Sequence, residues 1–213
     1  MKTGRTRIKI CGMTRERETD HAIACGVDAL GFIFFKKSPR NIEPEKARRI
    51  ISSFPPFIDA VGVFVNEEAE VVNQIANYCG LTVVQLHGAE SPEFCREIRC
   101  RIVKSFQLKP EFSSENFSLY QDVVSGFLFD TYSKKMAGGT GKTFDWSILE
   151  RFNPQKPVIL AGGITPENAA EAIRQVRPYG IDANSGLEIT PGRKDPDKIS
   201  RFINQVIKAD FSA

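Results

Sequence analysis

The sequence predicts an α/β fold, a (β/α)8 barrel of the TIM type, on three observations. Short runs rich in Ile, Val and Phe recur eight times along the 213 residues. Segments with the apolar spacing of a helix lie between them. Helix-start signals follow strand ends, so the repeating order is strand, loop, helix. That order marks parallel βαβ units, and eight such units close naturally into a barrel. An open doubly wound sheet of similar size is the structural alternative.

The strand-like runs are Arg7 to Cys11, Ala29 to Phe35, Ala60 to Val65, Thr82 to Leu86, Ile102 to Phe106, Gly126 to Asp130, Val158 to Ala161 and Gly180 to Asn184. Between them, Ala47, Ile50, Ile51 and Phe54, and again Ile199, Phe202, Ile203 and Val206, fit an i, i+3, i+4, i+7 stripe. The stretch from Ser114 to Gln121 is a much weaker helix. Proline stands in the first turn at Pro44-Glu45, Ser91-Pro92-Glu93 and Thr165-Pro166-Glu167, the latter two with a Ser or Thr cap before it.

With 41% hydrophobic and 26% charged residues the chain can bury one substantial core, and residues 1–213 are expected to form a single domain. A net charge of +3 without a sustained basic block argues against nucleic acid and suits a small anionic substrate. The longest apolar segment, Leu30 to Phe35, is too short to span a bilayer, so no membrane partner and a cytoplasmic location are expected. The five cysteines form neither a metal-ligand spacing nor an even disulfide set, which implies free thiols in a reducing compartment.

In such a barrel the chemistry lies where strands end. That filter selects Cys11, Arg40, Gln85, His87, Asp130, the Gly162-Gly163 pair, and Asp182, Asn184, Ser185 and Gly186. A cysteine at a strand exit can act as base or nucleophile once a positive neighbour favours its thiolate, or it is simply a small core residue. Asp130 closes an otherwise apolar run, where a carboxyl shielded from water can donate a proton; the alternative is a helix cap or a lysine partner. Arg40 can hold a carboxylate through its planar guanidinium or stay solvated. His87 and Gln85 are polar groups at the mouth, His87 as acid, base or orienting donor. Glycine loops after strands seven and eight suit a phosphate, or merely make tight turns.

Gly138-Gly139-Thr140-Gly141-Lys142-Thr143 imitates a nucleotide-binding P-loop, but that motif needs a glycine where Met136 stands. It reads instead as a Gly-rich loop after strand six, able to close over a ligand. The two histidines and scattered cysteines make no zinc site.

Taken together, Lys9-Ile10-Cys11-Gly12, Ala29-Leu30-Gly31-Phe32-Ile33-Phe34, Ser38-Pro39-Arg40, Val61-Gly62-Val63-Phe64-Val65-Asn66, Gln85-Leu86-His87-Gly88, Gly138-Gly139-Thr140-Gly141, Leu160-Ala161-Gly162-Gly163 and Ser185-Gly186-Leu187-Glu188 resemble the phosphoribosylanthranilate isomerase family of tryptophan biosynthesis. The resemblance covers nearly the whole chain. It implies a (β/α)8 barrel that performs an Amadori rearrangement on a phosphorylated small molecule, with no metal or organic cofactor, as a monomer or homodimer. It further implies Asp130 as general acid, Cys11 as general base, and Arg40 as the group on the anthranilate carboxylate. Gly162, Gly163, Asn184, Ser185 and Gly186 would hold the phosphate, with Gln85, His87 and Asp182 at the substrate. Asn184 stands where the family more often has a small Ser.

Overall fold

A computed structural model describes residues 4–108, 112–113, 115–130, 149 and 154–211. Its strands and helices run β1 (Arg7–Ile10), α1 (Glu16–Ala24), β2 (Ala29–Ile33), α2 (Pro44–Ile51), β3 (Asp59–Phe64), α3 (Ala69–Cys79), β4 (Val83–Leu86), α4 (Pro92–Glu97), β5 (Arg101–Gln107), α5 (Glu115–Ser118), β6 (Gly126–Asp130), β7 (Val158–Ala161), α6 (Ala169–Val176), β8 (Gly180–Ala183), β9 (Glu188–Thr190), β10 (Arg193–Lys194) and α7 (Pro196–Phe211). All eight predicted strands form, each within two residues of its expected limits. They pair in parallel in chain order. The ring shuts where β1 meets β8, with Ile8 opposite Ile181 and Ile10 opposite Ala183. That pairing removes the open-sheet alternative.

The packing follows the two periodicities in the sequence. Ala47, Ile50 and Ile51 of α2 and Ile199, Phe202, Ile203 and Val206 of α7 are buried against the outside of the strands. Each buried Ile, Val or Phe among them contributes about 1.5–3 kcal/mol of hydrophobic stabilisation. Outside β5 and β6, Phe106, Phe112, Phe117, Phe127 and Phe129 pack ring on ring and make up for the short helix α5, which spans only Glu115–Ser118.

Two local features differ from expectation. Regular α6 begins at Ala169, because Thr165 starts a tighter turn in which its hydroxyl accepts from Glu167 N. A small antiparallel hairpin, β9 with β10, follows β8 and turns at Pro191-Gly192. The Gly138–Thr143 stretch, with Met136, lies outside the described residues. Among those that are described, no helix is long and apolar enough to cross a membrane.

Candidate active site

At the C-terminal end of the barrel lies a cavity of about 390 Å3, within the range typical of small-molecule sites. Its wall includes Cys11, Arg40, Gln85, His87, Asp130, Gly162, Gly163, Asp182, Asn184, Ser185 and Gly186, so every residue singled out from the sequence faces one space. Strand geometry explains the convergence. Residues two apart share a face, and β4, β6 and β8 each send in such a pair: Gln85 with His87, Leu128 with Asp130, and Asp182 with Asn184.

Cys11 lies one residue past β1 and is only 5% exposed, yet its amide still donates to Ala183 O. The chain then turns through Gly12 at φ +76°, a left-handed conformation that a side chain would strain. A Cβ there would also stand 2.7 Å from Asn184 Oδ1 and 2.8 Å from Arg40 Cδ. Burial pushes the Cys11 thiol up; Lys9 and Lys194 pull it down, Asp182 opposes them, and the balance stays above the ordinary thiol value.

Lys9 and Asp182 form a buried ion pair at 2.7 Å across the β1–β8 seam. Burial works against the Lys9 ammonium, but Asp182 and Cys11 outweigh it, so Lys9 remains protonated. Asp182 Oδ1 and Gln85 Oε1 are buried without a hydrogen-bond partner among the described residues. Both belong to side chains lining the cavity, where a bound hydroxyl would satisfy them.

Asp130, with its side chain 24% exposed, lies 3.8 Å from His87 Nε2. Burial lowers the His87 pKa below its usual value, so this imidazole is neutral at pH 7. Its loop is fixed from behind. Buried Glu90 accepts from the amides of Asn66 and Gly88, and buried Lys104 donates to Gly88 O at 2.8 Å and to Glu90 at 3.1 Å.

Arg40 makes a bidentate pair with Glu188, Nε to Oε1 at 2.8 Å and a terminal nitrogen to Oε2 at 2.7 Å. One edge of its guanidinium is therefore occupied, and the remaining nitrogen is the edge that can meet a ligand. Lys194, fully buried, donates to Glu188 Oε1 at 3.0 Å and to Asn184 Oδ1 at 2.8 Å. Asn184 thus turns its side-chain oxygen toward a lysine. Gly162 and Gly163 both have positive φ, and Ser185–Leu187 form a short 3-10 turn beside them.

Sequence reasoning missed Lys9, Glu188 and Lys194 as parts of the site. Lys9 carried a usable signal, because a residue two before Cys11 on a strand must share its face. Glu188 entered only as the last residue of the Ser185–Glu188 motif, with no role, and Lys194 gave no signal, since their contacts depend on the hairpin. A larger cavity of about 600 Å3 opens at the opposite, N-terminal end of the barrel. Its charges are already matched, Arg7 with Asp28 and Arg101 with Asp59. Barrel chemistry belongs to the other face. No group of three or more metal-ligating side chains occurs among the described residues.

Comparison with known proteins decides the family. The pattern described as PRAI, N-(5'phosphoribosyl)anthranilate (PRA) isomerase, matches residues 8–205. The chain belongs to this isomerase family. It is 49% identical over 204 residues to the N-(5'-phosphoribosyl)anthranilate isomerase of Trichlorobacter lovleyi, covering 95% of this chain and 98% of that protein. A crystal structure of a phosphoribosyl anthranilate isomerase in complex with reduced 1-(o-carboxyphenylamino)-1-deoxyribulose 5-phosphate is similar at TM-score 0.84 and 40% identity, over 95% of this chain and 99% of the other. Monomers generated from the dimeric Thermotoga maritima phosphoribosylanthranilate isomerase match at TM-score 0.82 and 38% identity, over 95% and 98%. As a phosphoribosylanthranilate isomerase family member, the chain is an isomerase of tryptophan biosynthesis.

Proposed function

We propose that Cys11 and Asp130 are the base and acid that convert N-(5-phosphoribosyl)anthranilate to 1-(2-carboxyphenylamino)-1-deoxyribulose 5-phosphate. Asp130 protonates the ribose ring oxygen, and the ring opens to an iminium ion. Cys11, as thiolate, removes the proton from C2 of the sugar, and tautomerisation gives the ketose. One proton is given and another taken on different atoms, which is why two groups of different acidity are needed. The free edge of Arg40 takes the anthranilate carboxylate. Backbone N–H groups near Gly162, Gly163, Ser185 and Gly186 take the phosphate, and the amide of Asn184 joins them while its side chain stays with Lys194. Asp182 and Gln85 accept from sugar hydroxyls, and neutral His87 orients the reacting end. Binding both anionic ends fixes the sugar between acid and base.

The observation that carries this reading is the convergence of Cys11, Asp130, Arg40 and both glycine loops on one cavity. Purified protein should consume N-(5-phosphoribosyl)anthranilate, followed as loss of its fluorescence; folded protein without turnover would refute the reading. The protein is further proposed to act in the cytoplasm as one barrel domain spanning residues 1–213, without nucleic acid or membrane partners.

For assembly, the homodimer is proposed over the monomer because the Thermotoga maritima relative is dimeric, and Phe57 is the contact chosen to test it. Its side chain is 100% exposed, held at φ +74°, and lies at the rim of the N-terminal opening. Sedimentation should give a dimer that Phe57→Glu dissociates; a monomeric unaltered chain would exclude it.

A further inference from the structure

A buried thiol needs help to ionise, and the residue placed to give it is Lys9. Two residues before Cys11, it points to the same side of β1, into the barrel. Gly31 of β2 stands beside both. A Cβ built on Gly31 would lie 2.8 Å from Cys11 Sγ and 3.2 Å from Lys9 Nζ. The missing side chain is therefore what lets thiol and ammonium share one space. Lys9 donates to Asp182 at 2.7 Å, and its ammonium lies close enough to Cys11 for each to favour the other's charged form.

We propose that Lys9 is the counter-ion against which Cys11 becomes a thiolate, a positioning residue acting through Cys11, with Asp182 competing for the same ammonium. This rests on Cys11 being the base. Lys9 gives one of its three ammonium hydrogens to Asp182, whereas the other cations around the thiol have more of their donors engaged. Lys194 of β10 is held by Asn184 and Glu188, and Arg40, from the loop after β2, is held by Glu188. His87 of β4 is neutral through burial. Asp182 of β8 opposes a thiolate, and Asp130 of β6, the acid, lies across the same cavity. Among the cations, Lys9 pulls the thiol down most and Lys194 less.

The test follows thiolate absorbance near 240 nm as pH rises, taken as the difference between each protein and its own Cys11→Ser counterpart. That difference isolates Cys11 from Cys25, Cys79, Cys95 and Cys100. Lys9→Gln should lower the Cys11 thiolate fraction at pH 8 by at least about tenfold, the equivalent of one pH unit. Asp182→Asn should raise it. The double variant Lys9→Gln/Asp182→Asn should fall below Asp182→Asn alone; both lack the Asp182 charge, so their difference belongs to Lys9 even if Lys9→Gln by itself folds poorly.

The acid limb of kcat/KM should move to higher pH in Lys9→Gln and to lower pH in Asp182→Asn, opposite signs that loss of packing would not produce. A double variant whose Cys11 titrates like Asp182→Asn overturns the proposal. Should the titrations move as stated while kcat/KM keeps the original pH profile, Lys9 stands as the counter-ion and the assignment of Cys11 as base falls.

Discussion

Replacing Gly186 with alanine tests the phosphate site through space alone. Gly186 has no positive φ, so alanine meets no backbone strain there. Its Cβ would instead overlap the carbonyl oxygen of Ile164 and stand 3.0 Å from Thr165 Cγ2. The first obstacle is backbone, and no rotamer change relieves it. The loops after β7 and β8 must separate by roughly 1 Å, a misplacement that can cost about 100-fold when it disturbs positioning.

Overpacking should also cost about 1–3 kcal/mol of stability, or roughly 2–12 °C in Tm for a chain of this size. Gly163→Ala is the control. At φ +64° it is strained, but nothing lies within 4 Å of its Cβ, so it pays only the left-handed cost of about 1–2 kcal/mol. The assay is steady-state KM for N-(5-phosphoribosyl)anthranilate together with inhibition by inorganic phosphate. Gly186→Ala should raise KM and weaken phosphate inhibition by about 10- to 100-fold, with a change below about threefold for Gly163→Ala. Unchanged phosphate inhibition in folded Gly186→Ala would refute the placement of the phosphate between these loops.

Cys11→Ser and Asp130→Asn should retain the far-ultraviolet circular dichroism of the unaltered protein and lose about 100- to 10,000-fold in kcat; near-normal turnover in either removes its assigned role. Arg40→Ala should raise KM for the anthranilate substrate by about 10- to 100-fold, the value of one or two charge-assisted hydrogen bonds. With the carboxylate-free aniline analogue that loss should vanish, since Glu188 keeps Lys194 as a partner. At the N-terminal end, burial pushes the Asp28 carboxyl up, but hydrogen bonds from Arg5, Ile8 N and Arg7 hold it below the usual value. Its stabilisation is therefore present above about pH 4 and lost as pH falls through the lowered folded value. Because Arg5 and Arg7 are half-exposed, Asp28→Asn should cost only about 1–2 kcal/mol at pH 7. Thermal unfolding should show that gap closing below about pH 3; a constant gap would show that charge is not its source.

The barrel was legible because its rules are local. Alternation, stripes and proline starts each operate within a few residues, and the β1–β8 closure then follows from having eight units. Cys11 and Asp130 were legible for the same reason, since a strand end is a position along the chain. Contacts that span the chain were not. Arg40 and Glu188 are 148 residues apart, and they meet because the hairpin after β8 folds back over the loop after β2. There Gly192 O accepts from Thr14 and Gly192 N donates to Glu188. Asn184 suggested a phosphate ligand by position, yet a buried lysine ten residues on claims its side chain. The late start of α6 has a similar origin, because Thr165 satisfies a nearby amide before the regular helix can begin.

Depth in the barrel separates the two proton-transfer roles. Asp130 closes β6 with its side chain 24% exposed, whereas Cys11, at the end of β1, is 5% exposed. An acid at the wet rim can recover its proton from water between turnovers. With Asp130 protonated, as its role as acid requires, Lys9, Arg40 and Lys194 face Asp182 and Glu188 among the described residues around the site, three positive charges against two negative. A substrate bearing both a carboxylate and a phosphate therefore tips the site negative, which disfavours a thiolate. The phosphate is best held by backbone N–H groups, which add no formal charge, and the thiolate by a cation lying on its own strand. Lys9 meets that requirement, because strand alternation places it beneath Cys11 and on the barrel side of it.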